Sequence, residues 1–327
     1  MYVRRTAVAF AALTGLALVS SAVLSKTIKM TASGKDFRIE WNQAWSSSLA
    51  NFNEIFEAME EGIADFGLII NIFEPSNLPL DQHGRMMPFG PRDSRLTIEI
   101  DSALRAAVPA MNKAYTEHNQ RFLRAGANMD TGLFTTFPVR TIDDLKGHKF
   151  GASGTMGAYF KGTGGVYVSS AMVNAYADIK NGLYDGFPIA LAFGFPFKLF
   201  EAAPYYNNVG FGTAANSVLS INLDRWKELP RWVQKIFADV GAQYVDAYAK
   251  IDEGRYRKFA GIMKKKGAKF YDMPGSERTR WAKAMPNIAL DWVRKNEARG
   301  HPARGADQLH GPDAQAQPAD PTRLGKQ

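Results

Sequence analysis

The sequence predicts an α/β protein with two lobes, and a repeated junction is the main reason. Residues 54–67 (EIFEAMEEGIADFG) and 174–187 (NAYADIKNGLYDGF) are both helix-like runs that meet a glycine, with an aspartate three residues later. A glycine just past a helix, here Gly62 and Gly182, closes the last turn in the left-handed conformation at no steric cost. The runs that follow, FGLIINIF and GFPIALAF, are apolar enough to be buried strands.

Each copy is therefore a helix, a tight turn and a buried strand, which is the second half of a βαβ unit. Two such units lie about 120 residues apart, and this separation predicts one in each of two α/β lobes. The alternative is that the likeness is incidental, because helix–glycine–strand junctions occur in any α/β protein. The chain length of 327 residues favours two domains, since one compact core seldom holds so many residues.

The composition is that of a globular protein, with 46% hydrophobic and 12% aromatic residues. The net charge is +8, and basic residues gather in 255–269 (RYRKFAGIMKKKGAK), which we interpret as a solvated helix face. No recognition element accompanies this patch, so we expect no nucleic-acid partner. The chain has no cysteine, which excludes disulfides, thiol nucleophiles and cysteine-ligated metals.

Residues 1–24 predict a secretory signal peptide. Arg4 and Arg5 precede an apolar run, and small residues follow near the expected cleavage site. No later segment is long and apolar enough to span a bilayer. We therefore expect the mature chain to be exported to the periplasm.

Apolar runs and the residues that end them predict the elements in the first part of the chain. DFRIEW (36–41) predicts a strand that precedes the first repeated helix. Residues 96–125 predict one long helix that ends at Gly126. TGLFTTFPV (131–139) then predicts a strand.

A capped turn marks the middle of the chain. TIDDLKG (141–147) predicts a short helix with Thr141 as its N-cap and Asp144 three residues on, the spacing of a capping box. HKFGASG (148–154) predicts a strand leading into a helix that begins near Gly154.

The last third predicts strands, long helices and a tail. Residues 208–223 predict strand segments that return between the lobes. Residues 229–266 predict one or two long helices, with Pro230 in the first turn, where proline is well tolerated. From Gly300 onward glycine, proline, glutamine and aspartate dominate, which predicts disorder.

No catalytic constellation emerges from the sequence. The five histidines lack metal-ligand spacing, and Glu60–Glu61 and Asp143–Asp144 are neighbours that point in different directions on a helix. The glycine-rich run 154–165 lacks both the phosphate-loop and the dinucleotide pattern. We therefore predict no metal and no cofactor, and favour a binding protein that closes on a ligand over an enzyme.

Several segments resemble one family, the solute receptors of tripartite ATP-independent periplasmic (TRAP) transporters. They are EEGIADFG, MPFGP, PVRTIDDLKGHKF, KNGLYDG and INLDRWKE followed by LPRW. The resemblance runs from about residue 36 to about residue 299. It implies a two-lobed α/β receptor of periplasmic-binding-protein architecture, with strands crossing between the lobes and a long helix bracing both. Such receptors are not enzymes; they bind small organic acids and deliver them to a membrane permease.

The resemblance also implies a division of the chain. The predicted parts are a signal peptide (1–24), the first part of lobe 1 (25–136), the first part of lobe 2 (137–215), a crossing strand with the bracing and lobe-completing helices (216–299), and a disordered tail (300–327). We expect a monomer.

The implied ligand site departs from the family at its centre. In most of these receptors the strand after the D-L-K-G turn carries an arginine that clamps a carboxylate bidentately, and Gly151 occupies that position here. The strand at 131–137 supplies no second basic residue. A carboxylate could instead be held by free N–H groups at the helix start near Gly154, with Ser153 and Thr155.

The remaining predicted contacts are mostly apolar: Ile70, Asn71, Met172, Phe187 and Ile189. An apolar pocket without its arginine favours a hydrophobic or aromatic monocarboxylate, or a neutral ligand, over a dicarboxylate. The alternative is that Met172, Phe187 and Ile189 are ordinary core residues.

Two further departures concern completeness. Only SKTIKMTASGK separates the signal peptide from the strand at 36–41, too short for the crossover helix with which the family begins, so the first strand and helix of lobe 1 are expected to be missing. The family also ends with an amphipathic helix where this chain has its tail. The alternatives to a working receptor are thus a truncated non-functional remnant, an exported enzyme using the same cleft, or a receptor for an ATP-driven importer.

Overall fold

The computed structural model describes residues 44, 48–51, 53–127 and 130–303. These residues group into two compact units, and the chain alternates between them. The first unit comprises the described residues up to Gln82, with Asp101–Ala127 and Ala215–Ile251; the second comprises His83–Ile100 and the described residues of Asn128–Ala214 and from Asp252 onward. The signal peptide, the strand at 36–41 and the tail from residue 304 lie outside the described residues, and the predicted lobe boundaries stay predictions.

In chain order, the elements before residue 170 are α1 (Ile55–Glu60), β1 (Phe66–Ile69), α2 (Ser94–Ala107), α3 (Ala110–Glu117), β2 (Gln120–Gly126), β3 (Thr131–Thr135), β4 (Lys149–Ala152) and β5 (Val166–Ser169). The later elements are α4 (Ala175–Lys180), β6 (Gly186–Ala190), α5 (Leu191–Gly194), α6 (Leu199–Ala202), β7 (Tyr205–Asn208), β8 (Ser217–Asn222), α7 (Leu223–Glu228), α8 (Arg231–Lys265), β9 (Lys269–Asp272), α9 (Gly275–Ala284) and α10 (Ile288–Glu297). Short 3-10 helices cover Asn71–Phe73, Leu80–Arg85, Ile142–Leu145, Gly154–Phe160 and Met172–Asn174.

The repeated junction is confirmed, with one copy in each unit. Gly62 and Gly182 follow six-residue helices and have φ angles of 73° and 74°. The strands that come next, β1 and β6, are buried along their whole length. The two aspartates fix these strand starts, because Asp65 accepts a hydrogen bond from Nε of Arg225 at 2.9 Å and Asp185 accepts one from the backbone N–H of Lys149 at 3.0 Å.

The first unit is built on an antiparallel sheet of three strands in the order β1-β8-β2. Alternate side chains of β1 face opposite sides: Phe66 and Leu68 pack with Leu219 and Tyr244, whereas Ile69 packs against helix α1. Both faces are therefore covered. Among the described residues β1 pairs with β8. The expectation that lobe 1 lacks its first strand and helix concerns residues outside those described.

The second unit is built on a mixed sheet of six strands in the order β5-β4-β6-β3-β7-β9. Strand β4 is parallel to β5 and β6, and β7 is parallel to β9, whereas β3 runs antiparallel to both of its neighbours. One core cluster contains Phe187 and Leu199, and a second contains Phe150 and Trp281. These clusters hold the strand ends on which the predicted site depends.

One predicted element is wrong: residues 96–125 are not a single helix. The chain forms α2 and α3 and then strand β2, which pairs with β8. Pro109 explains the break, because it has no N–H to donate and disfavours helical backbone at the preceding residue. The predicted strands at 131–139 and 148–154 are confirmed in part as β3 and β4.

The predicted cap and long helix are also confirmed. In the capping box, Oδ2 of Asp144 accepts from the N–H of Thr141 at 2.8 Å. Helix α8 has 35 residues and begins directly after Pro230. Every helix in the described part of the chain is too short or too polar to cross a membrane.

Candidate ligand-binding site

A tyrosine ring occupies the space beside Gly151, the position of the expected clamp. A Cβ atom at Gly151 would overlap Cζ of Tyr184, so any side chain here requires the ring to move. The ring is fixed at its hydroxyl, which donates to Oδ2 of Asp178 at 3.2 Å and lies 3.1 Å from Oγ of Ser170. Burial raises the pKa of Tyr184 to about 12, so this hydroxyl keeps its proton at neutral pH. Strand β4 is therefore shaped for a neutral aromatic neighbour and has no room for an arginine side chain.

The segment predicted to hold a carboxylate does begin a helix at Gly154, but the helix is of the 3-10 type. Residues Gly154–Phe160 form a seven-residue 3-10 helix, and Ser153 makes no cap to it. The hydroxyl of Ser153 donates to the backbone carbonyl of Ser170 at 3.0 Å, and its contact with a ligand stays a prediction. Gly154 and Thr155 are exposed. A helix this short has a weak dipole, so its N–H groups alone are a poor substitute for the missing positive charge.

A cation that no sequence pattern indicates lies next to this segment. Nη1 of Arg85 lies 3.1 Å from Sδ of Met156, which directly follows Thr155. Nε of Arg85 is buried and has no hydrogen-bond partner. Among the described residues no carboxylate forms an ion pair with this guanidinium, which leaves an unneutralised positive charge beside the predicted acid-binding segment.

Phe187 and Ile189 lie in the core of the second unit. Their side chains are 2% and 9% exposed, and the Phe187 ring centroid lies 6.2 Å from that of Tyr184. Met172 is partly buried against the same cluster. This placement favours the alternative that these residues are core, and their contact with a ligand stays a prediction.

The first unit contributes Ile70 and Asn71 at the end of β1. Ile70 packs at the edge of the cluster around β1 and β8. Asn71 is fully buried; its Nδ2 donates to the carbonyl of Ala215 at 3.1 Å, and its Oδ1 has no donor. Oδ1 of Asn216 is likewise buried without a donor. Two acceptors so placed suit a water molecule or a hydroxyl group.

The described residues contain no group of three histidine, cysteine, aspartate or glutamate side chains placed to bind a metal ion. What they offer is a partly buried cation, neutral tyrosines and apolar surface. None of these groups is arranged as a nucleophile with a base.

Comparison with known families decides the class of protein. Residues 23–296 match the family of bacterial extracellular solute-binding proteins, family 7, also called DctP. The chain belongs to this family. Its members are substrate receptors of TRAP transporters, so the protein is a solute receptor and not an enzyme. No curated protein matches the chain in sequence.

Solved structures agree on the fold of this receptor. A TRAP periplasmic solute-binding protein from Desulfovibrio salexigens is 20% identical, with a TM-score of 0.71 over 84% of this chain and 86% of that chain. DctP7 of Bordetella pertussis, which binds pyroglutamic acid, is 18% identical, with a TM-score of 0.65 over 83% and 86%. A marine metagenome receptor specific for aromatic acids, solved with 3-hydroxybenzoate, is 15% identical, with a TM-score of 0.67 over 80% and 83%. The two-lobed α/β architecture predicted from the sequence is confirmed.

Proposed function

We propose that this receptor works in the periplasm, captures a hydrophobic or aromatic monocarboxylate, and delivers it to the membrane permease of a TRAP transporter. Closure of the two lobes on the ligand is part of the proposal. The observation that carries the ligand class is the replacement of the clamp arginine by Gly151, with the Tyr184 ring against it. A dicarboxylate needs two cationic partners, and this strand offers none.

The similar receptors support the general class of ligand. Pyroglutamic acid and 3-hydroxybenzoate, bound by two of them, are both small monocarboxylic acids. They share one charged group on a compact ring. We infer a site that combines aromatic surface with one positive charge, because such a site desolvates the ring of the ligand while it neutralises the carboxylate.

The proposal is tested by thermal melts of the mature chain, residues 25–327, with benzoate, hexanoate, succinate and malate. A ligand that binds only the folded state stabilises it by about 2.7 kcal/mol at a hundredfold excess over Kd, and this raises the unfolding temperature. We expect benzoate or hexanoate to raise it and the two dicarboxylates to leave it unchanged. Benzamide, which lacks the charge, is the matched control.

Each contrary outcome refutes a different part. A larger shift with succinate than with benzoate would overturn the ligand class. A cooperative melt that no acid moves would contradict the capture of organic acids. A broad transition that is indifferent to every ligand would identify a truncated remnant.

A further inference from the structure

We propose that Arg85 anchors the carboxylate of the bound acid, in place of the arginine that Gly151 lacks. The inference rests on the proposed function and names the residue that gives it charge specificity. Among the described residues, Nε of Arg85 is buried without a hydrogen-bond partner, and Nη1 contacts the thioether sulfur of Met156.

Burial of an arginine without an acid is costly. Taking a charge out of water costs several kcal/mol unless an opposite charge or strong hydrogen bonds offset the cost. Arg105, which is buried, shows the usual solution, because it is paired with Asp81 and Asp101. Arg85 is partly buried and has no such pair among the described residues, and the loss of contact with water lowers the pKa of its guanidinium. A sulfur atom is a weak hydrogen-bond acceptor and offsets little of the desolvation cost. A ligand carboxylate would offset much more of it.

Two successive hydrogen bonds connect the backbone of Arg85 to the core of the second unit. Its carbonyl accepts a hydrogen bond from the hydroxyl of Tyr159 at 2.6 Å, and the carbonyl of Tyr159 accepts one from Nε1 of Trp281 at 2.7 Å. Trp281 is fully buried in the core of the second unit. The base of the side chain is therefore fixed, which limits the entropy lost when the guanidinium binds.

The position of Arg85 also fits the ligand. Met156 follows the exposed pair Gly154–Thr155, the segment predicted to bind the acid. Methionine is unbranched and repacks easily, so a carboxylate can replace its sulfur as the acceptor for Nη1. Arginine offers two parallel N–H donors to a carboxylate, and Nε of Arg85 is available as one of them. One unpaired guanidinium matches one carboxylate, in agreement with a monocarboxylate ligand.

The test compares Arg85→Gln with Arg278→Gln by calorimetric titration with benzoate, hexanoate and succinate. Arg278 is the matched control, because it lies in the same unit and is partly buried with an unpaired Nε, yet its Nη2 donates to the carbonyl of Gly210 at 2.9 Å. We expect Arg85→Gln to weaken binding of the acid that the wild type prefers by about tenfold or more, since hydrogen bonds to charged groups are the strong ones. Arg278→Gln should bind that acid within about twofold of the wild type.

A stability readout separates this role from a purely structural one. Because Arg85 is partly buried with no acid beside it among the described residues, Arg85→Gln should unfold at the wild-type temperature or higher in the absence of ligand, while the ligand-induced rise is lost. Arg85→Lys keeps the positive charge but not the two parallel N–H donors of arginine, so it should bind the acid more tightly than Arg85→Gln and less tightly than the wild type.

Three outcomes overturn the inference, and they are distinguishable. If the wild type binds an acid and Arg85→Gln binds it equally well, the anchor is wrong and the proposed function stands. An equal loss of affinity in Arg278→Gln would show that the effect belongs to the fold of the unit. If the wild type binds none of the three acids, the proposed function and the anchor fail together.

Discussion

The substitution Phe187→Ala distinguishes a core residue from a ligand contact. Phe187 is 2% exposed, stands opposite Phe134 in the sheet, and packs on Tyr184. Truncating such a ring removes its transfer free energy and leaves a cavity, which costs about 3–5 kcal/mol. For a unit of this size each kcal/mol lowers Tm by about 2–4 °C, so the expected fall is about 6–20 °C. Thermal melts without ligand measure it directly.

A matched variant makes the result decisive. Phe200 lies in the same cluster with 5% exposure and is not a predicted ligand contact, so Phe200→Ala should lower Tm by a similar amount. Benzoate affinity is then measured well below both transitions. A Tm of Phe187→Ala within about 2 °C of the wild type would refute the burial argument. A loss of affinity about tenfold greater than in Phe200→Ala would show that the Phe187 ring also contacts the ligand.

Two further predictions concern buried charges. Replacing Arg105 by methionine removes the cation that Asp81 and Asp101 share, and should destabilise the protein by about 3–5 kcal/mol in urea titrations. Lys113→Met, at an exposed ion pair, should cost less than about 1 kcal/mol, and equal costs would contradict this reasoning. Burial raises the pKa of Asp252 to about 7, so the folded state keeps a proton that the unfolded state loses above about pH 4, and stability falls as pH rises to 7. The stabilisation of Asp252→Asn over the wild type should therefore grow by up to about 4 kcal/mol between pH 4 and pH 8, and a difference independent of pH would refute the assignment.

The fold was predictable wherever local chemistry and burial agree. The glycines that end α1 and α4 take the left-handed conformation that their position demands, and the strands that follow are apolar throughout. The error at 96–125 arose where local pattern is weak. Strand β2 has mixed exposure and a bulge between Phe122 and Arg124, so it shows neither clean alternation nor a continuous apolar run. Its pairing with β8 about 100 residues away decides its conformation, and one stretch of sequence cannot show that.

The candidate site was less predictable because its chemistry depends on contacts between distant segments. Gly151 was identified as a missing arginine, but nothing in its neighbourhood shows that the Tyr184 ring takes up the space. Arg85 belongs to no recognisable sequence motif. Its charge indicates an anion-binding role only when the structure shows which acidic residues lie near it. An arginine without a buried acid is ordinary at the surface and costly in the interior. Arg85 therefore differs from Arg105 in its partners: a guanidinium that two aspartates already neutralise, as in Arg105, has no need of a further anion and would predict no binding.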